Sequence, residues 1–252
     1  FQAEDGIRDS VASRGLGDVY KRQISDQTVA LGFIASRSHP DSFDGLDSMI
    51  RIAHRHSLPV LVDAAAMLPP AENLRRFINH GADLVVYSGG KAIRGPQSTG
   101  ILCGRQELVV AAAANNSPNH AIGRPAKVAR EEIVGLVVAL ERYVQRDHEA
   151  EMQTWHAQAQ IIVDTVSTAS GIKAMIAQDD WVRPVPEVSI SFTTQWSGRT
   201  AHQIVEDLAK GDPAIIIEAN RRADEDIFVN PINLMPGEEE LLAHRLLAAM
   251  ER

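Results

Sequence analysis

The chain has 252 residues, 44% hydrophobic and 23% charged, with 17 Gly, 12 Pro and a formal net charge of −8. A lone Cys103 excludes a disulfide framework, and an acidic balance without a basic stripe argues against a nucleic-acid partner. No apolar run reaches membrane-spanning length and no signal peptide is visible, so the sequence reads as a cytoplasmic protein of one to two domains with no membrane partner.

Residues 1–23 lack a sustained apolar period and carry Gly15-Leu16-Gly17. They resemble a translated sequencing adaptor and are expected to be a non-native segment outside the fold. A short strand is expected over Val29–Ile34, then a loop at Arg37–Pro40. Asp44 opens a helix with Leu46, Met49, Ile50 and Ala53 on one face. His54 and His56 are two apart on that helix and point to different sides, so no shared metal is expected. Leu58–Asp63 reads as a buried strand ending in a carboxylate, with Ala64-Ala65-Ala66 leaving that end uncrowded. A helix over Ala71–His80 follows, with Pro69-Pro70 suited to its first turn, Leu74, Phe77 and Ile78 at helical spacing, and Gly81 as its stop.

Leu84–Tyr87 is the next buried strand, running into Ser88-Gly89-Gly90-Lys91. The two glycines permit a close backbone approach to a ligand. The strand–helix–strand order predicts parallel neighbours, which places Asp63 and Lys91 at the same carboxyl edge of a sheet, where open α/β sheets bind ligands. An amine and a carboxylate so placed suit pyridoxal phosphate. The Lys amine can form a Schiff base with its aldehyde, and the Asp carboxylate keeps the ring nitrogen protonated, which makes the ring a better electron sink. Ala65 is small enough to lie flat against one ring face. The alternative is a surface lysine in a turn.

Arg94-Gly95-Pro96-Gln97 breaks any helix, and Thr99–Cys103 reads as a strand running back through the core. A helix is expected over Gln106–Ala114. Arg124 and Lys127 then precede a helix carrying Ile133, Leu136, Val137, Leu140 and Val144, a stripe read as core. Cations beside helix N–H groups can hold an anion; a solvated basic pair is the alternative. A second helix spans about His148–Thr168, with Met152, Trp155, Ala159, Ile162 and Val166 spaced for burial. From Gly171 the pattern becomes a compact α+β module: strands at Glu187–Phe192, Ala214–Ile217 and Ile227–Val229, a helix over Arg199–Lys210, and a last helix opened by Pro236.

VDAAAMLPPAENL followed by GADLVVYSGGKAIRGPQSTGILCGR resembles the selenocysteine-synthase-like branch of fold-type I pyridoxal-phosphate enzymes. SGGK-x-x-R-GPQSTG and the later GRPAKVAREEIVGLVVALERY are most similar to the ammonia-lyase side of that branch, and the likeness runs from about Phe33 to Met250. The resemblance implies an α/β fold-type I subunit. Residues 24–125 would form an incomplete large cofactor-binding domain, 126–168 connecting helices and 169–252 the small C-terminal domain. It implies pyridoxal 5'-phosphate held by Lys91, Asp63, Ala65, Ser88, Gly90, Gln97 and Thr99. Lys91 and Asp63 would be catalytic, and Arg94, Arg124 and Lys127 would bind substrate.

The implied activity is α,β-elimination and deamination of a small-molecule amino acid or amino sugar acid such as D-glucosaminate 6-phosphate. Seryl-tRNA selenium transfer and a non-catalytic interaction module are the alternatives. A homo-oligomer is implied for the parent protein. The family's phosphate-binding turn and ring-stacking residue cannot be recognised, so the chain is expected to be a fragment. The helices carrying Leu46, Met49, Leu74 and Phe77, with their flanking strands, are then expected to leave apolar faces uncovered.

Overall fold

The computed structural model describes residues 24–36, 43–181, 184–219 and 226–251. The adaptor-like segment and the Arg37–Pro40 loop lie outside them. The chain divides between Arg146 and Asp147 into two compact units.

In the first unit, β1 (Leu31–Ile34), α1 (Phe43–Arg55), β2 (Val60–Asp63), α2 (Asn73–Asn79) and β3 (Leu84–Ser88) alternate, and β4 (Gly100–Gly104) follows. The sheet order is β1-β2-β3-β4. The first three strands are parallel and β4 returns antiparallel to β3. The register Phe33↔Val62↔Val85 sets one apolar row on one face. α1 packs on β1 and β2, and α2 packs on β3. Leu46, Met49 and Phe77 are buried and Leu74 is half-buried, so these helices do not leave their apolar faces open as expected. The opening is in the strands: Ile34 and Leu61, which point the other way by the two-residue period, are 61% and 38% exposed.

Two boundaries differ from the sequence expectation for local reasons. α2 starts at Asn73 because Pro69-Pro70 belongs to the bend ahead of it, where Asn73 Nδ2 donates to the Met67 carbonyl at 2.7 Å. β4 is a half-buried edge strand and does not run through the core. Cys103 on it is half-buried, and burial pushes its thiol pKa up, which makes it a poor nucleophile at neutral pH.

The amino-terminal edge of this sheet is tied by one buried carboxylate. Asp83, 5% exposed, accepts from the Val60 N–H at 2.7 Å and the Arg105 guanidinium at 3.0 Å, and bonds His54 Nε2 at 3.0 Å. Gly104 makes this crowding possible. Its φ is 145°, and an added Cβ would stand 2.1 Å from the Asp83 carbonyl oxygen. Gly104→Ala should therefore lower stability by about 3 kcal/mol, read as a lower urea midpoint at unchanged slope. A shift worth less than about 1 kcal/mol would contradict this packing.

After β4 come α3 (Gln106–Ala114), a 3-10 turn at Arg124–Ala126 and α4 (Arg130–Gln145). α3 buries no residue, and α4 buries only Tyr143. The stripe read as core is largely open: Ile133, Val137 and Val144 are 49%, 50% and 58% exposed. α4 is apolar almost all round, so periodicity could not choose its inner face. The structure turns inward the row with the small residues Gly135 and Ala139.

The second unit contains α5 (His148–Val166), β5 (Ile172–Ala177), β6 (Glu187–Phe192), α6 (Ala201–Ala209), β7 (Glu218–Ala219), β8 (Asp226–Val229) and α7 (Glu238–Met250). Its antiparallel sheet has the order β5-β6-β8-β7. Trp155, Ala159, Ile162 and Val166 of α5 are buried as their spacing predicts. Ala159, Ile162 and Val166 join a core with Val188, Ile190, Ile204, Leu208, Ile227 and Leu246. The Asp147 side chain caps α5 through the Ala150 N–H, and Thr200 with Gln203 forms a capping box on α6. Ala214–Ile217 does not form the expected strand. Ile215 and Ile217 pack on the core while Ile216 is 79% exposed, but ladder pairing begins only at Glu218. Among the described residues no helix is long and apolar enough to cross a membrane.

Candidate active site

The parallel register Asp63↔Val86 between β2 and β3 puts Asp63 at the carboxyl edge of the sheet. Ser88 ends β3 two residues further along the same edge, and Lys91 follows three residues later. Asp63 and Lys91 are both exposed. Asp63 Oδ1 accepts the Ala65 N–H at 3.0 Å, which turns the chain away from the strand end and leaves Ala65 half-buried. Oδ2 has no protein partner among the described residues, and neither does the Lys91 amine. The two charges do not pair with each other, so both are available to a ligand.

The loop after β3 folds on itself on both sides of Lys91. Gly89 N–H donates to the Thr99 carbonyl at 2.9 Å, and Gly95 N–H to the Gly89 carbonyl at 2.8 Å. Arg94 N–H donates to the Lys91 carbonyl at 2.8 Å, with Arg94 itself in the left-handed region at φ 62°. Gln97 Nε2 donates to the Gly90 carbonyl at 2.9 Å. Gly89 is required here, since a Cβ would meet Thr99 Oγ1 at 2.1 Å and Leu136 Cδ1 at 2.7 Å.

The structure thus brings Asp63, Ala65, Ser88, Gly90, Lys91, Arg94 and Gln97 to one strand edge and its loop. Thr99 is placed differently: it is buried and donates its hydroxyl to the Pro96 carbonyl at 2.6 Å. Arg124 and Lys127 are exposed on the approach to α4. Arg124 donates to the Pro118 carbonyl, and neither cation bonds to the Lys91 loop. One N-terminal donor of α4 is already taken, because Glu132 Oε2 accepts the Ala129 N–H at 2.9 Å.

Sequence reasoning missed Glu132. Its other oxygen accepts the hydroxyl of Ser98 in the Lys91 loop. Ala129-Arg-Glu-Glu132 lacks the Ser or Thr that announces a capping box. The four-residue spacing of Gly135 and Ala139 was the available signal. Among the described residues no cluster of three or more His, Cys, Asp or Glu side chains is arranged to hold a metal ion.

The residues present fit pyridoxal phosphate. Among the described residues the Lys91 amine, Asp63 Oδ2 and the Ser88 hydroxyl have no hydrogen-bond partner, and all three stand at or just beyond one sheet edge.

The aminotransferase class-V family model matches residues 15–124. The fold is the one found in fold-type I pyridoxal-phosphate enzymes. The chain is similar to 5'-C-glycyluridine monooxygenase-decarboxylase of a Streptomyces species, 33% identical over 88% of this chain and 54% of the relative. It is also similar to D-glucosaminate-6-phosphate ammonia lyase of Salmonella typhimurium, 31% identical over 88% of this chain and 58% of the relative. An L-seryl-tRNA(Sec) selenium transferase from Moorella thermoacetica is 27% identical over 81% of this chain and 47% of the relative. A solved structure of D-glucosaminate-6-phosphate ammonia-lyase superposes with a TM-score of 0.68 at 29% identity, covering 92% of this chain and 60% of that one. The chain therefore spans about half the length of the curated relatives it matches.

Proposed function

We propose that the chain carries the lysine half of a pyridoxal-phosphate lyase site. The substrate class is a 2-amino-3-hydroxy acid, with an amino sugar acid such as D-glucosaminate 6-phosphate favoured. The observation that supports this best is that the Lys91 amine and Asp63 Oδ2, at one carboxyl edge, have no hydrogen-bond partner among the described residues.

Bound there, the cofactor would supply an electron sink for charge developing at the substrate α-carbon. Lys91 would hold it covalently, and the same amine would be the base for the substrate α-proton. Asp63, its Oδ1 held by the Ala65 N–H, would offer Oδ2 as the acceptor for the ring N–H. Ser88 would contribute a hydroxyl to the phosphate, and Gly90 lets Gln97 pack directly against the loop backbone. Gln97 and Thr99 would complete a phosphate site, with Thr99 acting through the shape of the loop. Arg94, Arg124 and Lys127 would meet the substrate's carboxylate or phosphate. The net reaction would convert the 2-amino-3-hydroxy acid to a 2-keto-3-deoxy acid and ammonia, the water lost across C2 and C3 being regained on hydrolysis.

The open apolar surfaces of α3 and α4 support assembly as a homo-oligomer, and a cytoplasmic location belongs to the same reading.

The similarity to a monooxygenase-decarboxylase favours a second reading, in which the same lysine and carboxylate serve loss of CO2 from an amino acid. Incubating the protein with pyridoxal phosphate and D-glucosaminate 6-phosphate separates the two. Ammonia and a 2-keto-3-deoxy acid in equal amounts are expected. Oxygen uptake with CO2 release from a nucleoside that carries an amino acid through a carbon–carbon bond would favour the second reading. Turnover only of seryl-tRNA with selenophosphate would reverse the order of substrates, although the net charge of −8 offers no tRNA surface.

A further inference from the structure

We propose that Glu132 is a positioning residue for Lys91, its carboxylate holding the Gly89–Thr99 loop against the start of α4 through Ser98. This rests on Lys91 being the cofactor-binding amine. Its geometric basis is separate.

The loop's hydrogen bonds close on themselves: Gly89 to Thr99, Gly95 to Gly89, Arg94 to Lys91 and Gln97 to Gly90. They fix its shape, and the β3–β4 ladder that ends at Ser88↔Gly100 holds its two ends, leaving the stretch around Ser98 to be held from α4. Ser98 points outward, and its hydroxyl donates to Glu132 Oε1. Glu132 is half-buried, and its other oxygen holds the Ala129 N–H at 2.9 Å, so the acceptor is itself held at the first turn of α4.

The next residues on that face of α4 are shaped to receive the loop. A Cβ on Gly135 would stand 3.1 Å from Pro96 Cγ. A Cβ on Gly95 would stand 3.4 Å from both Ala139 Cβ and Leu136 Cδ1. Glu132, Gly135, Leu136 and Ala139 follow the three- and four-residue spacing of one helix face. The Ser98 hydroxyl, then the Ala129 N–H, hold the Glu132 carboxyl below the usual carboxylate range against the opposing effect of burial. At neutral pH it is therefore ionised and only accepts.

Glu132 has no place at the reacting atoms. It acts by setting where the Lys91 backbone sits, and displacing a reacting group by about 1 Å can cost about 100-fold in rate.

Trypsin reads the anchor directly, because Lys91 and Arg94 are exposed cleavage points inside the loop. Ser98→Ala removes the loop contact and leaves the Glu132–Ala129 bond intact. Glu132→Ala removes both, and Glu132→Gln keeps one oxygen to accept the Ala129 N–H and an amide N–H that can donate to the Ser98 hydroxyl oxygen. Cleavage after Arg94 should rise about ten-fold in Ser98→Ala and in Glu132→Ala, the size expected for one charge-assisted hydrogen bond. The double variant should add nothing further, and Glu132→Gln should stay near wild type. With pyridoxal phosphate bound, the pH midpoint of the lysine-linked visible band should move in Ser98→Ala, and kcat should fall with KM unchanged. Unchanged cleavage in both alanine variants overturns the anchor. Faster cleavage with an unmoved band overturns the positioning role. A wild-type protein whose lysine-linked band is absent while cleavage still responds would instead overturn the reading of Lys91 on which the role depends.

Discussion

Replacing Lys91 with alanine is expected to abolish turnover, by about 1,000-fold or more, and to end covalent retention of pyridoxal phosphate. The size follows from losing two functions at once, the covalent hold and the proton acceptor, each worth about 100-fold or more. No neighbour can substitute. The next cation, Arg94, stays protonated and cannot serve as base or nucleophile. Asp63→Ala should behave differently. The lysine attachment survives, cofactor binding loosens, and the rate falls by about 100-fold because the ring nitrogen loses the charge that keeps it protonated. Gel-filtered protein, its visible absorbance and single-turnover rates separate the two variants. Retention of cofactor by Lys91→Ala, or an Asp63→Ala enzyme with full activity, would contradict these roles.

Asp83→Ala is expected to be the most destabilising of the polar substitutions, by about 3 kcal/mol. Alanine leaves the Val60 N–H, the Arg105 guanidinium and His54 without their shared acceptor at a buried strand edge. The pH dependence has a definite sign. Burial pushes the Asp83 carboxyl up, but the bonds from His54, the Val60 N–H and Arg105 outweigh it and leave its pKa below the usual value. A group with a depressed native pKa binds fewer protons folded than unfolded. Its contribution is therefore full above the ordinary carboxylate range and is lost as pH falls through the native value. Urea titrations from neutral to acid pH should show wild-type stability declining toward acid and the alanine variant declining less. Parallel curves would mean that Asp83 is not the titrating clasp.

Much of this unit is legible in the sequence because its signals are local. Val60–Asp63 and Leu84–Ser88 are short apolar runs ending in polar residues, and one helix between them forces parallel pairing. That pairing alone carries Asp63 and Lys91 to one edge. What was not legible depends on packing. α4 presents apolar residues on nearly every side, and its inner row was chosen by the loop that packs there. Asp83 sits in front of an apolar strand with nothing nearby in sequence to show that Arg105, 22 positions away, would reach it. Ala214–Ile217 has the composition of a strand, but Ile216 has no apolar surface to meet. Thr99 reads as a cofactor contact, yet its hydroxyl is buried on the Pro96 carbonyl, a bond set by the fold of the loop and not by any local signal.

Borohydride reduction of the protein incubated with pyridoxal phosphate, followed by digestion and peptide mapping, tests the assignment of Lys91 most directly. The pyridoxyl group is expected on Lys91 alone, in the peptide that contains Ser88-Gly89-Gly90. Label on a different lysine, or no stable label on any, would contradict it.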